Sequence, residues 1–87
     1  MRVAVITGAS SGIGAELCRR LRAEGWLIVG LSRRPAPDAD EHEACDVSDR
    51  AAVEDVAARV LERHPRIDLL VNNAGAAALG EFLSLDP

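Results

Sequence analysis

Five consecutive apolar or β-branched positions, Val3 to Thr7 (VAVIT), run directly into a glycine. A short continuous run with that exit predicts a strand buried on both faces, as in a parallel sheet. From Ile13 to Glu24 the period changes. Ile13, Leu17 and Leu21 recur at i, i+4 and i+8, with Arg19, Arg20, Arg22 and Glu24 mostly on the other side, which predicts an amphipathic helix. Gly25 stands where a left-handed C-cap is expected. Trp26 to Ser32 (WLIVGLS) reads as a second strand, and residues 33–41 (RRPAPDADE), with two prolines and no apolar face, as a loop. His42 to Cys45 predicts a short third strand. Asp46, Ser48 and Asp49 then open a second helix, with Ser48 the expected N-cap. Val53, Ala57, Val60 and Leu61 give that helix one apolar face as far as His64, where Pro65 stops it. Ile67 to Asn72 (IDLLVN) is a fourth strand, ended by a turn at Asn73, Ala74 and Gly75. In the weakly patterned tail a helix is expected to start at Glu81, with Phe82, Leu83 and Leu85 as its core-facing stripe.

The order β-α-β-loop-β-α-β predicts an α/β fold with parallel strands. Right-handed crossovers then constrain the layout. Strands one, two and three step in one direction. The chain returns past strand one, so strand four lies on its other side. The expected sheet order is 3-2-1-4, with the helices on opposite faces. The direction reverses between strands one and four, and such a switch point is where open α/β sheets bind ligands, at the carboxyl ends of the strands.

Composition narrows the function classes. A chain of 87 residues is at most one domain, and a 48% hydrophobic share argues against disorder. The net charge of −4 argues against nucleic acid and against a polybasic membrane surface as partners. Charge interrupts the apolar runs well before the ~20 residues that span a bilayer. The N-terminal stretch lacks the length and cleavage pattern of a signal peptide. Cys18 and Cys45 are too few for a disulfide scaffold, and buried free thiols in a reducing cytoplasm are expected. The cysteines and the separated His42 and His64 do not form a metal-ligand pattern.

Three segments reach the switch point: Gly8 to Gly14, Asp46 with Val47, and Asn72 to Gly75. Between strand and helix, Gly8 permits a tight turn. Gly12 lets a diphosphate approach backbone with no Cβ in the way, and Gly14 allows close helix packing. The helix N-terminus following this loop presents unpaired N–H groups to an anion, and Ser10 and Ser11 add hydroxyl donors. The competing reading is a plain glycine turn. Asp46, at a strand end, has a carboxylate able to accept from an exocyclic amine, or alternatively to cap the following helix. At the end of strand two stand Ser32, Arg33 and Arg34, with no carboxylate to hold a ribose 2′-hydroxyl. Guanidinium groups pair with phosphate through two parallel bonds, so NADP(H) is preferred over NAD(H), with Arg33 the stronger candidate. The alternative is a solvated loop pair.

The segment TGASSGIG (Thr7 to Gly14), followed by CDVSD (Cys45 to Asp49) and Asn72-Asn73-Ala74-Gly75 after LLV, resembles the short-chain dehydrogenase/reductase family. The resemblance implies a partial Rossmann (doubly wound) fold. It implies that Gly8, Ser10, Ser11, Gly12, Ile13 and Gly14 form the diphosphate loop, and that Asp46 binds the adenine amino group with Val47 packing or hydrogen-bonding beside the ring. Asn73, Ala74 and Gly75 would line the cofactor groove and brace the central strands. The competing reading of Asn73 is a turn residue that satisfies its own backbone.

Family members use a tyrosine as general acid/base, a nearby lysine, a serine and a further asparagine. This sequence contains no tyrosine and no lysine, so no catalytic residue is assigned. Residues 1–87 are therefore expected to be the N-terminal, cofactor-binding part of a single domain, corresponding to about the first third of a typical member and truncated before the catalytic segment. The parent would interconvert alcohol and carbonyl by hydride transfer. Two other classes remain: a non-catalytic dinucleotide-binding module, and an interaction piece that self-associates through the open edge of strand four.

Overall fold

A computed structural model describes residues 1–73. Ala74, Gly75 and the helix expected from Glu81 lie outside the described residues. Six elements follow in order: β1 (Val3–Thr7), α1 (Gly12–Ala23), β2 (Leu27–Ser32), β3 (Glu41–Ala44), α2 (Arg50–Arg63) and β4 (Leu69–Val71). The four strands form one parallel sheet in the order β3-β2-β1-β4, as the crossover rules require.

Strand β1 is buried along its whole length because it is central and covered on both faces. Its alternate residues enter two separate cores. Val3 and Val5, with Val29 and Leu31 of β2, pack against Val53, Val56, Ala57 and Val60 of α2. Ala4 and Ile6, with Ile28, pack against Cys18 of α1 and Ala9 and Ala36 of the loops. Both cysteines are free and buried, and burial pushes both thiols above their ordinary range.

The buried side of α1 differs from the expected apolar stripe. Gly14, Ala15 and Cys18 face inward, Leu17 and Leu21 flank them half-buried, and Ile13 is 78% exposed. Small residues win the interior because α1 lies close to the sheet and loop backbone. A Cβ on Gly14 would stand 2.1 Å from the carbonyl oxygen of Gly8. The helix ends as its glycine predicts. Gly25 has φ 91°, its N–H donates to Arg22 O at 3.0 Å, and Trp26 N–H reaches back to Leu21 O at 3.0 Å, a Schellman closure.

The N-cap of α2 is Asp49 rather than Ser48. The Asp49 carboxylate accepts from Ala52 N–H at 3.3 Å. Ser48 is engaged one step earlier, donating its hydroxyl and its backbone N–H to Asp46 Oδ1 at 2.6 and 3.0 Å. Val56, absent from the expected stripe, is buried, whereas Leu61 is only half-buried. On the far side of β3, Arg59 and Arg63 bridge to Glu41 and Glu43, and His64 Nε2 lies 3.0 Å from Glu41. The exposed polar face of α2 thus carries two arginines that reach the charged edge strand.

Candidate dinucleotide site

At the carboxyl ends of β1, β2 and β3 lies an open groove of about 790 Å³. Gly8, Ser10 and Ser11 supply one wall, Leu31 to Arg34 a second, and Cys45 to Ser48 a third. Seven of the expected site residues meet there: Gly8, Ser10, Ser11, Arg33, Arg34, Asp46 and Val47.

The first wall is built by backbone geometry. Gly8 has φ 66° and Gly12 φ 59°, both in the left-handed region that favours glycine. Gly8 N–H still donates to Leu31 O at 2.9 Å, so the sheet ladder extends one residue beyond β1 before the chain turns. Ser11 is the N-cap of α1, yet its side chain makes no capping bond and the first turn holds no acidic residue. The helix therefore keeps N–H groups and its positive pole uncompensated by its own side chains. A Cβ on Gly12 would meet nothing within 4 Å, so the space over that backbone is open. Gly12 and Ile13 face a second, shallower depression of about 500 Å³, shared with Glu16, Leu17 and Arg20.

Gly14 and Asn73 act beneath the loop. Asn73 Nδ2 donates to Gly8 O at 3.4 Å, and a Cβ on Gly14 would lie 2.9 Å from that same nitrogen. Asn73 N–H donates to Thr7 Oγ1 at 2.9 Å. Thr7 Oγ1 in turn lies 3.3 Å from Asn72 Oδ1 and 3.4 Å from Val71 O. The fully buried Thr7 is thus the joint between the ends of β1 and β4, a role the sequence reading overlooked. Its signal was a hydroxyl closing an otherwise aliphatic strand. Asn73 braces the glycine loop from the β4 side and is not among the residues lining the groove.

In the third wall, Asp46 forms an Asx-turn with Ser48, and the pattern Asp-Val-Ser carried that signal. These two bonds, with the nearby Arg33 charge, hold the Asp46 carboxyl below its ordinary range. Both bonds use Oδ1.

The second wall holds the charge. Arg19, Arg20 and Arg22 pair with Glu16, Asp38 and Asp40. Arg59 and Arg63 pair with Glu41 and Glu43, and Arg66 with Asp68. Arg2 stacks over the Trp26 ring at 4.3 Å. Arg33 and Arg34 are exposed at the groove and hold no salt bridge to a described residue. The groove therefore brings the loop before α1 together with two guanidinium groups that hold no salt bridge to a described residue, at the carboxyl ends of three parallel strands. That arrangement defines the class: a doubly wound parallel α/β protein with a candidate ligand groove at the carboxyl ends of its strands.

Known proteins agree with this class and narrow it. The family model for short chain dehydrogenase matches residues 2–87, and the chain belongs to that family. It is 39% identical over 95% or more of its length to curated members; one is D-threitol dehydrogenase of Mycolicibacterium smegmatis, matched over 97% of this chain and 38% of the relative at 39% identity. Thermoplasma acidophilum aldohexose dehydrogenase, solved ligand-free, superposes with a TM-score of 0.79 at 35% identity, over 85% of this chain and 29% of that one. A metagenomic short-chain oxidoreductase solved in complex with NADP gives 0.76 at 39% identity, over 86% and 39%. The chain spans little more than a third of the length of the curated relatives it matches.

No helix among the described residues is long and apolar enough to cross a membrane. No group of three or more potential metal ligands occurs among them.

Proposed function

We propose that residues 1–87 are the NADP(H)-binding part of a short-chain oxidoreductase that interconverts alcohol and carbonyl by hydride transfer, and that this chain by itself binds the cofactor without turning over substrate. The observation that carries the reading is the groove itself. The diphosphate would lie over Gly12 at the uncapped start of α1, near the Ser10 and Ser11 hydroxyls, where N–H groups and the helix dipole favour negative charge. The adenine would sit between Asp46 and Val47. The 2′-phosphate would meet Arg33 and Arg34, which hold no salt bridge to a described residue and so keep both guanidinium groups available for bidentate pairing. Ile13 would flank the groove at the start of α1, Gly14 and Asn73 would support the loop, and Ala74 and Gly75 would, by family resemblance, line the cofactor groove. The bound dinucleotide supplies the hydride chemistry. The residues of this chain bind and orient it. The absence of tyrosine and lysine from all 87 residues supports a binding role without turnover, because the family's proton-transfer pair has no counterpart here. Beyond β4, the outermost strand of the described sheet, further strand from the same protein or from a second copy would add to the open edge.

Calorimetry of the 87-residue chain with NADPH and NADH tests the reading. NADPH is expected to bind more tightly, and Arg33→Ala to abolish most of that preference. An unchanged NADPH/NADH ratio in both Arg33→Ala and Arg34→Ala would overturn the assignment of the 2′-phosphate site.

A further inference from the structure

We infer that His42 is a positioning residue for 2′-phosphate recognition, acting through the Ser32 hydroxyl to hold the backbone that launches Arg33 and Arg34. The inference rests on the NADP(H) reading above. It concerns a residue that the sequence pattern offers only as an isolated histidine on a short edge strand.

Register puts the groups together. His42 of β3 pairs with Gly30 of β2, and Ser32 lies two residues further along β2, so all three share one face of the sheet. His42 Nε2 reaches forward along that face to 3.1 Å from both Ser32 O and Ser32 Oγ. A carbonyl oxygen only accepts, so Nε2 must carry the hydrogen. The Ser32 hydroxyl then uses its single hydrogen on the Arg34 carbonyl, 2.5 Å away. The result is a relay from imidazole N–H to serine oxygen and from serine O–H to the Arg34 carbonyl. Ser32 O also accepts from Cys45 N–H at 3.1 Å, which fastens the end of β2 to the end of β3 beside Asp46.

This relay acts on the two arginines that line the groove. The chain leaves β2 at Ser32, and Pro35 follows Arg34 immediately. A residue before proline is confined largely to extended conformations. The two-residue span is therefore pinned at Ser32 by hydrogen bonds and restricted at Arg34 by the proline ring. Ser32 is 7% exposed, so the fixed point is inside the fold although the arginines are outside it. Ordering a loop on binding costs affinity, and a loop ordered beforehand avoids that cost. His42 is not among the groove-lining residues, so its effect passes through Ser32 rather than through contact with the ligand.

The chain and its His42→Leu, His42→Gln, Arg33→Ala and Arg34→Ala variants are titrated with NADPH and with NADH. His42→Leu removes the ring N–H. It is expected to weaken NADPH binding about threefold to tenfold, the size of one lost hydrogen bond, and to leave NADH binding nearly unchanged. His42→Gln, which keeps an N–H donor, is expected to restore most of the preference. A histidine that merely tied β3 to β2 would change both cofactors alike, and that result overturns the inference. So does failure of glutamine to restore the preference, or a preference lost in Arg33→Ala but intact in His42→Leu. Absence of NADPH binding by the wild-type chain, or an unchanged ratio in both arginine variants, overturns the underlying reading and the inference together. A ligand-free readout is independent of both. Nitrogen-15 NMR of the His42 ring is expected to show the Nε2–H tautomer, and a dominant Nδ1–H form would remove the relay.

Discussion

On the α2 face of the sheet, Val3, Val5, Val29 and Leu31 interlock with Val53, Val56 and Val60. On the α1 face Ile6 and Ile28 are fully buried as well, but around them lie small residues, Ala4, Ala9, Cys18 and Ala36, with Gly14 and Gly30 beside them. A Cβ on Gly30 would stand 2.9 Å from Ala9 Cβ and 3.0 Å from Ala39 Cβ. The two faces solve different problems. Branched side chains over α2 bury apolar area, which is the main source of stability. Small residues over α1 give up area and bring backbone close to backbone. The N-terminus of α1 thereby comes up to the switch point, where its N–H groups can meet a ligand. Both faces bury large aliphatic residues of the sheet; α2 meets them with valines, whereas α1 meets them with small residues that set the start of the helix against the end of β1.

The contrast can be broken by substitution. Leu31→Ala, which empties fully buried space on the α2 face, is expected to have the largest effect, a loss of about 2–5 kcal/mol in urea denaturation. Gly14→Ala tests the other face by enlargement instead of truncation. With Gly8 O only 2.1 Å from the new Cβ, the loop must shift, at about 1–3 kcal/mol and with weakened NADPH binding. A neutral Gly14→Ala would mean that close approach is not what orders the α1 face.

Asp68 precedes β4 and sits beside the start of β1. Its carboxylate accepts from Val3 N–H at 2.9 Å and from Arg66, and the Val3 bond is the chief reason the carboxyl lies below its ordinary range. A depressed folded-state value means that this contribution is fully present above the unfolded value of about 3.9 and is lost as pH falls through the folded one. Acid titration of stability is expected to show this loss, reduced in Asp68→Asn. An unchanged acid profile in the variant would remove Asp68 from the account. The smallest effect is expected at Ile13. Although apolar and on α1, it is 78% exposed, so Ile13→Ser should change stability by less than about 0.5 kcal/mol. A loss comparable to that of Leu31→Ala would place Ile13 in the core and erase the distinction between the faces.

Much of this was legible beforehand. VAVIT, the Gly25 stop and Pro65 mark β1 and the ends of both helices, because chain-local conformational preferences suffice there. The order β3-β2-β1-β4 was legible from right-handed crossovers together with a return of the chain past strand one that puts the helices on opposite faces. The errors share a cause. Ile13, Leu17 and Leu21 form a regular stripe, but the face that a helix buries depends on how near its neighbour lies, and here the gap admits only Gly14, Ala15 and Cys18 at its centre. Ser48 and Asp49 are both good N-caps, and the choice between them was made by Asp46, which had already engaged Ser48. The outer strands differ from the expectation: β3 is Glu41–Ala44, one residue earlier than His42 to Cys45, and β4 is Leu69–Val71, shorter at both ends than Ile67 to Asn72. β4 starts at Leu69 rather than Ile67, since pairing with β1 begins at Ala4.

The sequence by itself determined the alternation of strands and helices, the glycines at positive φ and the pair of arginines after β2, because each depends on residues adjacent in the chain. Only the tertiary structure decided which arginines are neutralised, that Thr7 joins β1 to β4, and that His42 reaches Ser32. Those pairings link residues distant in sequence. Parallel register, not chain-local pattern, sets the few ångströms over which a hydrogen bond or an ion pair exists.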